Sequence, residues 1–301
     1  MPDTPRPTGT HDGPSVLVTG AAGNLGREVV DRLLAQGARV RRLVHRPTTG
    51  PRSAVESVVG DLTDPAVFRA ALQGVDAVLL IWPLLDTDPA HHVVAELIAA
   101  APRVVYVSST AIDDGAARQS DPIVQVHVDM EVLLREAGLR PVVLRSDTMA
   151  SNARGWGAQL RVGDLIAGPD MARTAVVDER DVADAAVTVL LAPDRTQLDP
   201  KTYLLTGPEV LDRGDQVARL GAALRRPLSF RPLPVDLARS RMLADGRPER
   251  LVEALLAASV RRPESHLITD HVERLTGTPA GTFARWAVDH AGGFRRESSD
   301  S

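Results

Sequence analysis

Short apolar runs alternate with amphipathic helical patterns through the first half of the chain. Runs rich in valine, leucine and isoleucine predict buried strands at residues 15–19, 40–44, 55–59, 77–81, 104–107 and 142–144. Between them, apolar residues recur at helical spacing and predict helices at 27–36, 65–73, 91–101 and 121–137. Farther along the pattern is less regular, and it predicts a strand at 203–206 and helices at 181–191, 216–224 and 250–258.

This alternation sets the fold class. Strands that are apolar throughout are buried on both faces, which is typical of a parallel sheet with helices on each side. Right-handed crossovers then give a doubly wound, Rossmann-type α/β fold. We expect a Rossmann core at 14–150, to which 176–207 returns, and a smaller, mostly helical substrate-binding part at 151–175 and 208–294. A disordered lead at 1–13 and a disordered tail at 295–301 are expected from their polar composition.

The segment after the first predicted strand has the glycine spacing of a dinucleotide-binding loop. Gly20, Gly23 and Gly26 fall as GxxGxxG, directly before a predicted helix. The first glycine permits a tight turn, the second lets a pyrophosphate approach the backbone, and the third lets helix and strand pack closely. Free N–H groups at the start of the helix suit phosphate oxygens. The predicted phosphate-binding residues are Gly20, Ala22, Gly23, Asn24, Leu25 and Gly26.

The end of the second predicted strand bears on the choice between NAD and NADP. An acidic residue there bonds the ribose 2′-hydroxyl of NAD, whereas an arginine suits the 2′-phosphate of NADP. Here the strand runs into His45 and Arg46, with no acidic residue nearby. A guanidinium matches phosphate oxygens. The sequence therefore favours NADP(H) over NAD(H), with His45 and Arg46 as contacts.

Composition narrows the class of function. The chain has no cysteine, which excludes disulfides, thiolate metal sites and cysteine nucleophiles, and its histidines show no metal-ligand spacing. A net charge of -4 gives no basic surface for nucleic acid. Without an apolar run long enough for a membrane span and without a signal peptide, we expect a cytoplasmic protein with a small-molecule substrate. No nucleic-acid or membrane partner is expected, and the sequence leaves a homo-oligomer open.

Several segments together resemble the NmrA-like family of atypical short-chain dehydrogenase/reductases, over residues 15–226. They are residues 19–26, Gly60-Asp61-Leu62, Val107-Ser108-Ser109, His127-x-x-x-Glu131, Gly138-Leu139, Val143-Leu144-Arg145 and residues 204–209. The resemblance implies that Asp61 and Leu62 contact the adenine. It implies that Ile81, Trp82, Pro83 and Ser108 border the nicotinamide ribose. The chain departs from the family at His45, often an arginine, and at 146–149, where the family often has Pro-Gly and an aromatic residue.

The catalytic pair of typical short-chain reductases is excluded here. Those enzymes protonate the reduced oxygen with a tyrosine whose pKa is lowered by a lysine four residues later. This chain has one lysine, Lys201, and its tyrosines are Tyr106 and Tyr203, so that spacing does not occur. Quinones and conjugated carbonyls need little acid assistance, and the absence of the pair therefore favours them as substrates.

Other residues are candidates for the chemistry. His127 and Glu131 share one face of a predicted helix, and a histidine beside a carboxylate can hold a proton near neutral pH and donate it. The same spacing is common on solvated helix faces, and both interpretations stay open. Thr110 follows the fifth strand and is a candidate to orient a carbonyl. Met149, Asn152 and Trp156 follow the sixth strand, where the substrate cleft is expected to open.

These observations lead to one hypothesis and two alternatives. The first is an NADPH-dependent oxidoreductase that reduces a quinone or conjugated carbonyl, in secondary metabolism. The second is a non-catalytic sensor of NAD(P)H that acts through protein partners. The third is an isomerase or lyase on the same fold.

Overall fold

A seven-stranded, fully parallel sheet forms the centre of the protein, in a computed structural model that describes residues 13–46, 55–193 and 202–294. Its strand order is β3-β2-β1-β4-β5-β6-β9. The strands of the described residues are β1 (Ser15–Val18), β2 (Arg39–Val44), β3 (Val55–Val59), β4 (Ala77–Leu80), β5 (Arg103–Ser109), β6 (Val142–Ser146), β7 (Leu165–Gly168), β8 (Thr174–Ala175), β9 (Thr202–Leu205), β10 (Val210–Leu211) and β11 (Ser229–Pro232). The predicted Rossmann-type sheet is confirmed.

Helices cover both faces of this sheet. The helices of the described residues are α1 (Asn24–Ala35), α2 (Pro65–Leu72), α3 (Ala90–Ala100), α4 (Pro122–Glu136), α5 (Gly157–Val162), α6 (Glu179–Leu191), α7 (Arg213–Leu224), α8 (Val235–Ala244), α9 (Glu249–Arg261), α10 (His271–Thr276) and α11 (Phe283–Asp289). Helices α1, α6 and α10 share one core with the sheet, and α2, α3 and α4 share the other. Because successive side chains of a strand point to opposite faces, Val105 joins the first core and Tyr106 the second.

Helix starts follow the sequence signals closely. Asp64 caps α2 by accepting hydrogen bonds from Ala66 N and Val67 N, and proline is the first residue of the helix. Asp121 caps α4 in the same way, again before a proline. A carboxylate at this position satisfies N–H groups that have no partner inside the helix, and proline has no N–H to lose.

The part that follows β6 builds a separate layer beside the sheet. Two small sheets, β8 with β10 and β7 with β11, pack around a third core that contains Trp156, Phe283, Trp286 and Phe294. Helix α6 packs on α1, and β9 then pairs with β6 at the edge of the main sheet. The predicted lead and tail lie outside the described residues, apart from Gly13. Within the described ranges, no helix combines the length and apolarity needed to cross a membrane.

Candidate active site

The glycine-rich loop forms a tight turn between β1 and α1. Gly20 has a positive φ of 62°, which favours glycine, and Gly23 N donates to Gly20 O at 2.9 Å. A side chain at Gly26 would place its Cβ 2.3 Å from Gly20 O. The third glycine is therefore required for the close packing of helix against strand.

The start of α1 fits the pyrophosphate of a dinucleotide. Gly23 is the N-cap residue, so no side chain caps the helix, and the first turn contains no acidic residue. The first N–H groups of a helix have no partner within it and carry a partial positive charge. A Cβ at Gly23 would have only Gly20 O as a near neighbour, at 3.2 Å, so it would enter the space in front of these groups. Ala22, Asn24 and Leu25 lie in this same turn.

The neighbouring ends of β2 and β3 bring the predicted adenosine-side residues together. His45 and Arg46 are exposed beyond β2, which pairs with β3 up to Val44 and Val59. Asp61 accepts hydrogen bonds from Thr63 N and Thr63 Oγ1, both at 2.8 Å. These bonds, with a smaller contribution from His45, lower the pKa of Asp61. Leu62 is buried in the core.

The residues after β4 point in alternate directions. Ile81 lies against Gly20, and its N donates to Thr19 Oγ1 at 2.7 Å. The indole of Trp82 instead joins the core beneath α2 and α3, and its Nε1 donates to Asp86 O at 2.9 Å. The strand alternation therefore turns the Trp82 side chain into the core, which leaves the backbone of this residue as the part that could border a ribose. Pro83 is exposed.

A cavity of about 850 Å³ opens at the carboxyl ends of β5 and β6. All three residues predicted to contact substrate, Met149, Asn152 and Trp156, line it. Ser108 and His127 line it as well, so the structure brings the predicted substrate residues together with part of the predicted catalytic set. A cavity of this size, mostly apolar with a few polar groups, is typical of a small-molecule site.

The ring of His127 is held by a tyrosine. Its Nδ1 lies 2.9 Å from the hydroxyl oxygen of Tyr106. Burial lowers the pKa of His127 to about 4, and the charge of Glu131 opposes this only in part. Burial also raises the pKa of Tyr106, so its hydroxyl stays protonated. Because the described residues offer this hydroxyl proton no other acceptor, it is donated to His127 Nδ1. The neutral ring then carries its proton on Nε2.

The predicted partnership of His127 and Glu131 is wrong. Glu131 Oε1 accepts from Ser108 Oγ at 2.6 Å and from Arg145 Nε at 2.9 Å, and Oε2 accepts from Arg145 Nη2 at 2.8 Å. Arg145 also binds both carboxylate oxygens of Asp114, at 2.7 and 2.8 Å. A guanidinium from β6 thus outcompetes the histidine on the same helix. Glu131 positions Ser108 and Arg145, and His127 is not a protonated acid at neutral pH.

Thr110 acts on a carboxylate that the sequence analysis missed. Its Oγ1 donates to Asp147 Oδ2 at 3.1 Å, so its proton is not directed at a substrate carbonyl, which corrects the expected role. Asp147 is buried, lines the cavity and accepts from Thr148 N at 2.6 Å. Burial raises the pKa of this carboxyl group. An acidic residue directly after a buried strand was the available signal. Arg213 and Gln216 also line the cavity and were missed.

Comparison with known proteins places this geometry in a family. A family model described as NAD(P)H-binding matches residues 20–193, more than half of the chain. The chain therefore belongs to this NAD(P)H-binding family. With its Rossmann sheet and NmrA-like motifs, it is an atypical short-chain dehydrogenase/reductase and an NAD(P)H-dependent oxidoreductase.

Three similar proteins illustrate the relationship. A (4-alkanoyl-5-oxo-2,5-dihydrofuran-3-yl)methyl phosphate reductase from Streptomyces griseus is 36% identical over 94% of this chain and 100% of its own length. An NAD(P)H azoreductase from Xenophilus azovorans is 29% identical over 93% of this chain and 99% of its own. The structure of an NADPH-dependent quinone oxidoreductase from Escherichia coli, in complex with NADPH, has a TM-score of 0.75 at 22% identity and covers 92% of this chain and 99% of its own. This last likeness shows the shared fold.

Proposed function

We propose that the protein uses NADPH to reduce an electron-poor double bond, in a quinone or another conjugated carbonyl compound. The observation that carries this proposal is the neutral His127 in the cavity at the strand ends, in a chain that lacks the tyrosine–lysine pair. Bound NADPH supplies a hydride. The residues of the chain have to bind the acceptor and stabilise the negative charge that it gains.

His127 suits a hydrogen-bonding role more than a proton-donating one. With Tyr106 bound at Nδ1, the Nε2–H group is left for the oxygen of a substrate. A neutral imidazole stabilises a developing enolate or phenolate by hydrogen bonding but is a poor acid. Asp147 is a second buried polar group of the cavity, and its burial raises the pKa of its carboxyl group. These groups are sufficient only for an acceptor whose anion, formed when it takes up the hydride, is already stabilised by conjugation.

Two relatives support this class of acceptor. The Streptomyces griseus protein is a reductase of a dihydrofuranone whose ring double bond is conjugated with the ring carbonyl and the alkanoyl carbonyl. The Xenophilus azovorans protein is a reductase of azo compounds, which also accept hydride at a conjugated double bond. Both match this chain over almost its whole length.

A panel of acceptors tests the proposal. We expect NADPH oxidation, followed by the loss of its absorbance, with quinones, acyl lactones and enones. Saturated ketones of similar size should react at least about 100-fold more slowly, because their alkoxide needs a proton donor worth that factor. Equal rates with saturated ketones would contradict the proposed class of substrate.

The pH profile tests the protonation state of His127. Because its pKa is about 4, the ring is neutral throughout the neutral range. We expect the rate with a conjugated carbonyl to stay level from about pH 6 to about pH 8, where an imidazolium acid would lose up to tenfold per pH unit. His127→Gln is the matched control, since any slope that remains in it belongs to another group. A wild-type decline near pH 6.5 that this substitution removes would show that the ring acts as a charged acid.

We also propose that Arg46 gives the protein a preference for NADPH over NADH. The support is its exposed position at the end of β2, where a ribose 2′-phosphate would lie. NADPH should bind at least about tenfold more tightly than NADH, about 1.4 kcal/mol. Arg46→Ala should remove most of that difference in a fluorescence titration. Equal affinities in the unsubstituted protein would refute the preference.

A further inference from the structure

The cavity wall contains a half-buried arginine that forms no ion pair. Arg213 is the first residue of α7, and its guanidinium lies 5.4 Å from the centre of the Trp156 ring. It forms no hydrogen bond and no ion pair with the residues that the structure describes. Burial lowers its pKa to about 10, and a favourable interaction with Asp170 opposes this. The group is therefore still charged at neutral pH, where a partly desolvated cation without a close counterion is costly.

The carboxylates next to Arg213 in the sequence are already engaged. Asp212 caps α7 by accepting from Asp215 N at 2.7 Å. Arg173 binds Asp212 at 2.7 Å and Asp215 at 2.8 Å. The carboxylates of Asp212 and Asp215, on the two sides of Arg213 in the sequence, are thus both neutralised by Arg173.

The other charges of the inner cavity are also paired or directed elsewhere. The cationic neighbour of Asp147 is Arg262, not Arg213. Arg262 in turn binds the Asp121 carboxylate, with Nε at 2.7 Å from Oδ2. Among the described residues of the cavity wall, Arg213 is the half-buried cation that forms no ion pair, and the carboxylate of Asp170 interacts with it only at longer range.

Neutral hydrogen-bonding groups and further cations lie in the same wall. Gln216 follows one helical turn after Arg213, is 95% buried with a relative exposure of 5%, and makes no side-chain hydrogen bond with the described residues. Arg241 and Arg247 line the cavity from its exposed side, beside the carboxylate of Asp245. The net charge of this end of the cavity is positive, which favours an anion with more than one negative charge.

We propose that Arg213 binds a phosphate ester carried by the substrate, with Gln216 as a second donor. This inference rests on the proposed function, because it names a group on the compound that is reduced. A guanidinium presents two parallel N–H groups that match phosphate oxygens. The guanidinium carbon of Arg213 lies over the ring of Trp156, an attractive cation–π contact that uses none of the guanidinium N–H groups as hydrogen-bond donors. Arg241 and Arg247 attract the dianion towards the cavity.

A binding experiment tests the site without turnover. The probes are a saturated hydroxymethyl acyl lactone, its phosphate ester and its carboxylate analogue, each titrated calorimetrically into the protein with NADPH present. Since the saturated compounds cannot accept hydride, binding is measured alone. The phosphate ester should bind about tenfold to hundredfold more tightly than the alcohol, the usual value of a charged hydrogen bond. Arg213→Gln should remove this difference, and Arg213→Lys should retain part of it.

Arg140→Gln is the matched control, because Arg140 is exposed and lies at the amino end of β6, whereas the cavity lies at the carboxyl end of this strand. It should leave all three affinities unchanged. Equal binding of ester and alcohol by the wild-type protein, or no binding of the ester, overturns the proposal even if Arg213→Gln fails to fold. Tighter binding of the carboxylate overturns the assignment to phosphate. Lack of turnover of the unsaturated lactone would instead contradict the proposed function.

Discussion

Gly23→Val should abolish binding of NADPH while the protein remains folded. The backbone at Gly23 is extended, with φ at -72° and ψ at 173°, so its conformation is open to valine, and the 3.2 Å contact of a Cβ with Gly20 O requires only a small local shift. Its branched side chain, however, would occupy the space in which the pyrophosphate meets the first turn of α1. We expect the affinity to fall by more than about 100-fold, or about 2.7 kcal/mol, in a fluorescence titration with native circular dichroism.

Two other glycines serve as controls for this result. Gly292→Val adds the same side chain where a Cβ meets no atom within 4 Å, and it should leave NADPH binding unchanged. Gly26→Val should destabilise the fold itself, because its Cβ would lie 2.3 Å from Gly20 O. If the Gly23→Val protein binds NADPH normally, the loop is not the phosphate site.

Glu131→Gln should cause a clear loss of stability. Glu131 and Arg145 are both buried, and the carboxylate also accepts from Ser108. The substitution removes the buried counterion of Arg145 and leaves it paired with the exposed Asp114 carboxylate alone, so the expected cost is about 1–3 kcal/mol. Thermal denaturation should show a decrease in Tm of about 5 °C.

Glu136→Gln is the matched control on the same helix, since Glu136 is exposed. It should change the free energy of unfolding by less than about 0.5 kcal/mol. Replacing both buried partners, with Glu131→Gln and Arg145→Met together, should recover part of the lost stability. A loss below about 1 kcal/mol for Glu131→Gln would show that the ion pair is unimportant for the fold.

The central sheet was predictable because its signals are local and repeated. Each strand of the Rossmann core is a short apolar run, and the predicted strand at 55–59 agrees with β3 (Val55–Val59) residue for residue. The small strands β8 and β10 were missed because each has only two residues, too few for any periodicity. Their stability comes from pairing with each other and from the surrounding core.

The candidate site was predictable only where its geometry is local. The phosphate loop is one continuous segment between a strand and a helix, so its conformation depends on neighbouring residues of the chain and could be predicted from their spacing. The spacing of His127 and Glu131 shows that they share a helix face, but it does not show which groups arrive from the sheet. Tyr106 from β5 hydrogen-bonds to His127, and Arg145 from β6 binds Glu131. These contacts depend on tertiary packing, which the spacing of two residues on one helix does not reveal.

The place of Arg213 in the cavity wall could likewise not be predicted from the sequence, because it depends on tertiary packing. Arg213 lies in a stretch rich in arginine and proline, where nothing in the sequence distinguishes it from its exposed neighbours. Its burial follows from the packing of α7 beside Trp156, which belongs to a segment more than fifty residues earlier. The sequence alone would pair Arg213 with Asp212 or Asp215. The structure shows that both of these carboxylates bind Arg173 instead.

Transfer of deuterium from NADPH tests the central claim most directly. NADPH deuterated at the reactive carbon of the nicotinamide is incubated with the protein and a conjugated acyl lactone, and the product is analysed by mass spectrometry and NMR. We predict one deuterium at the carbon β to the carbonyl, with stoichiometric formation of NADP⁺. Binding of NADPH without oxidation by any quinone, enone or acyl lactone would contradict the account and indicate a non-catalytic nucleotide-binding protein.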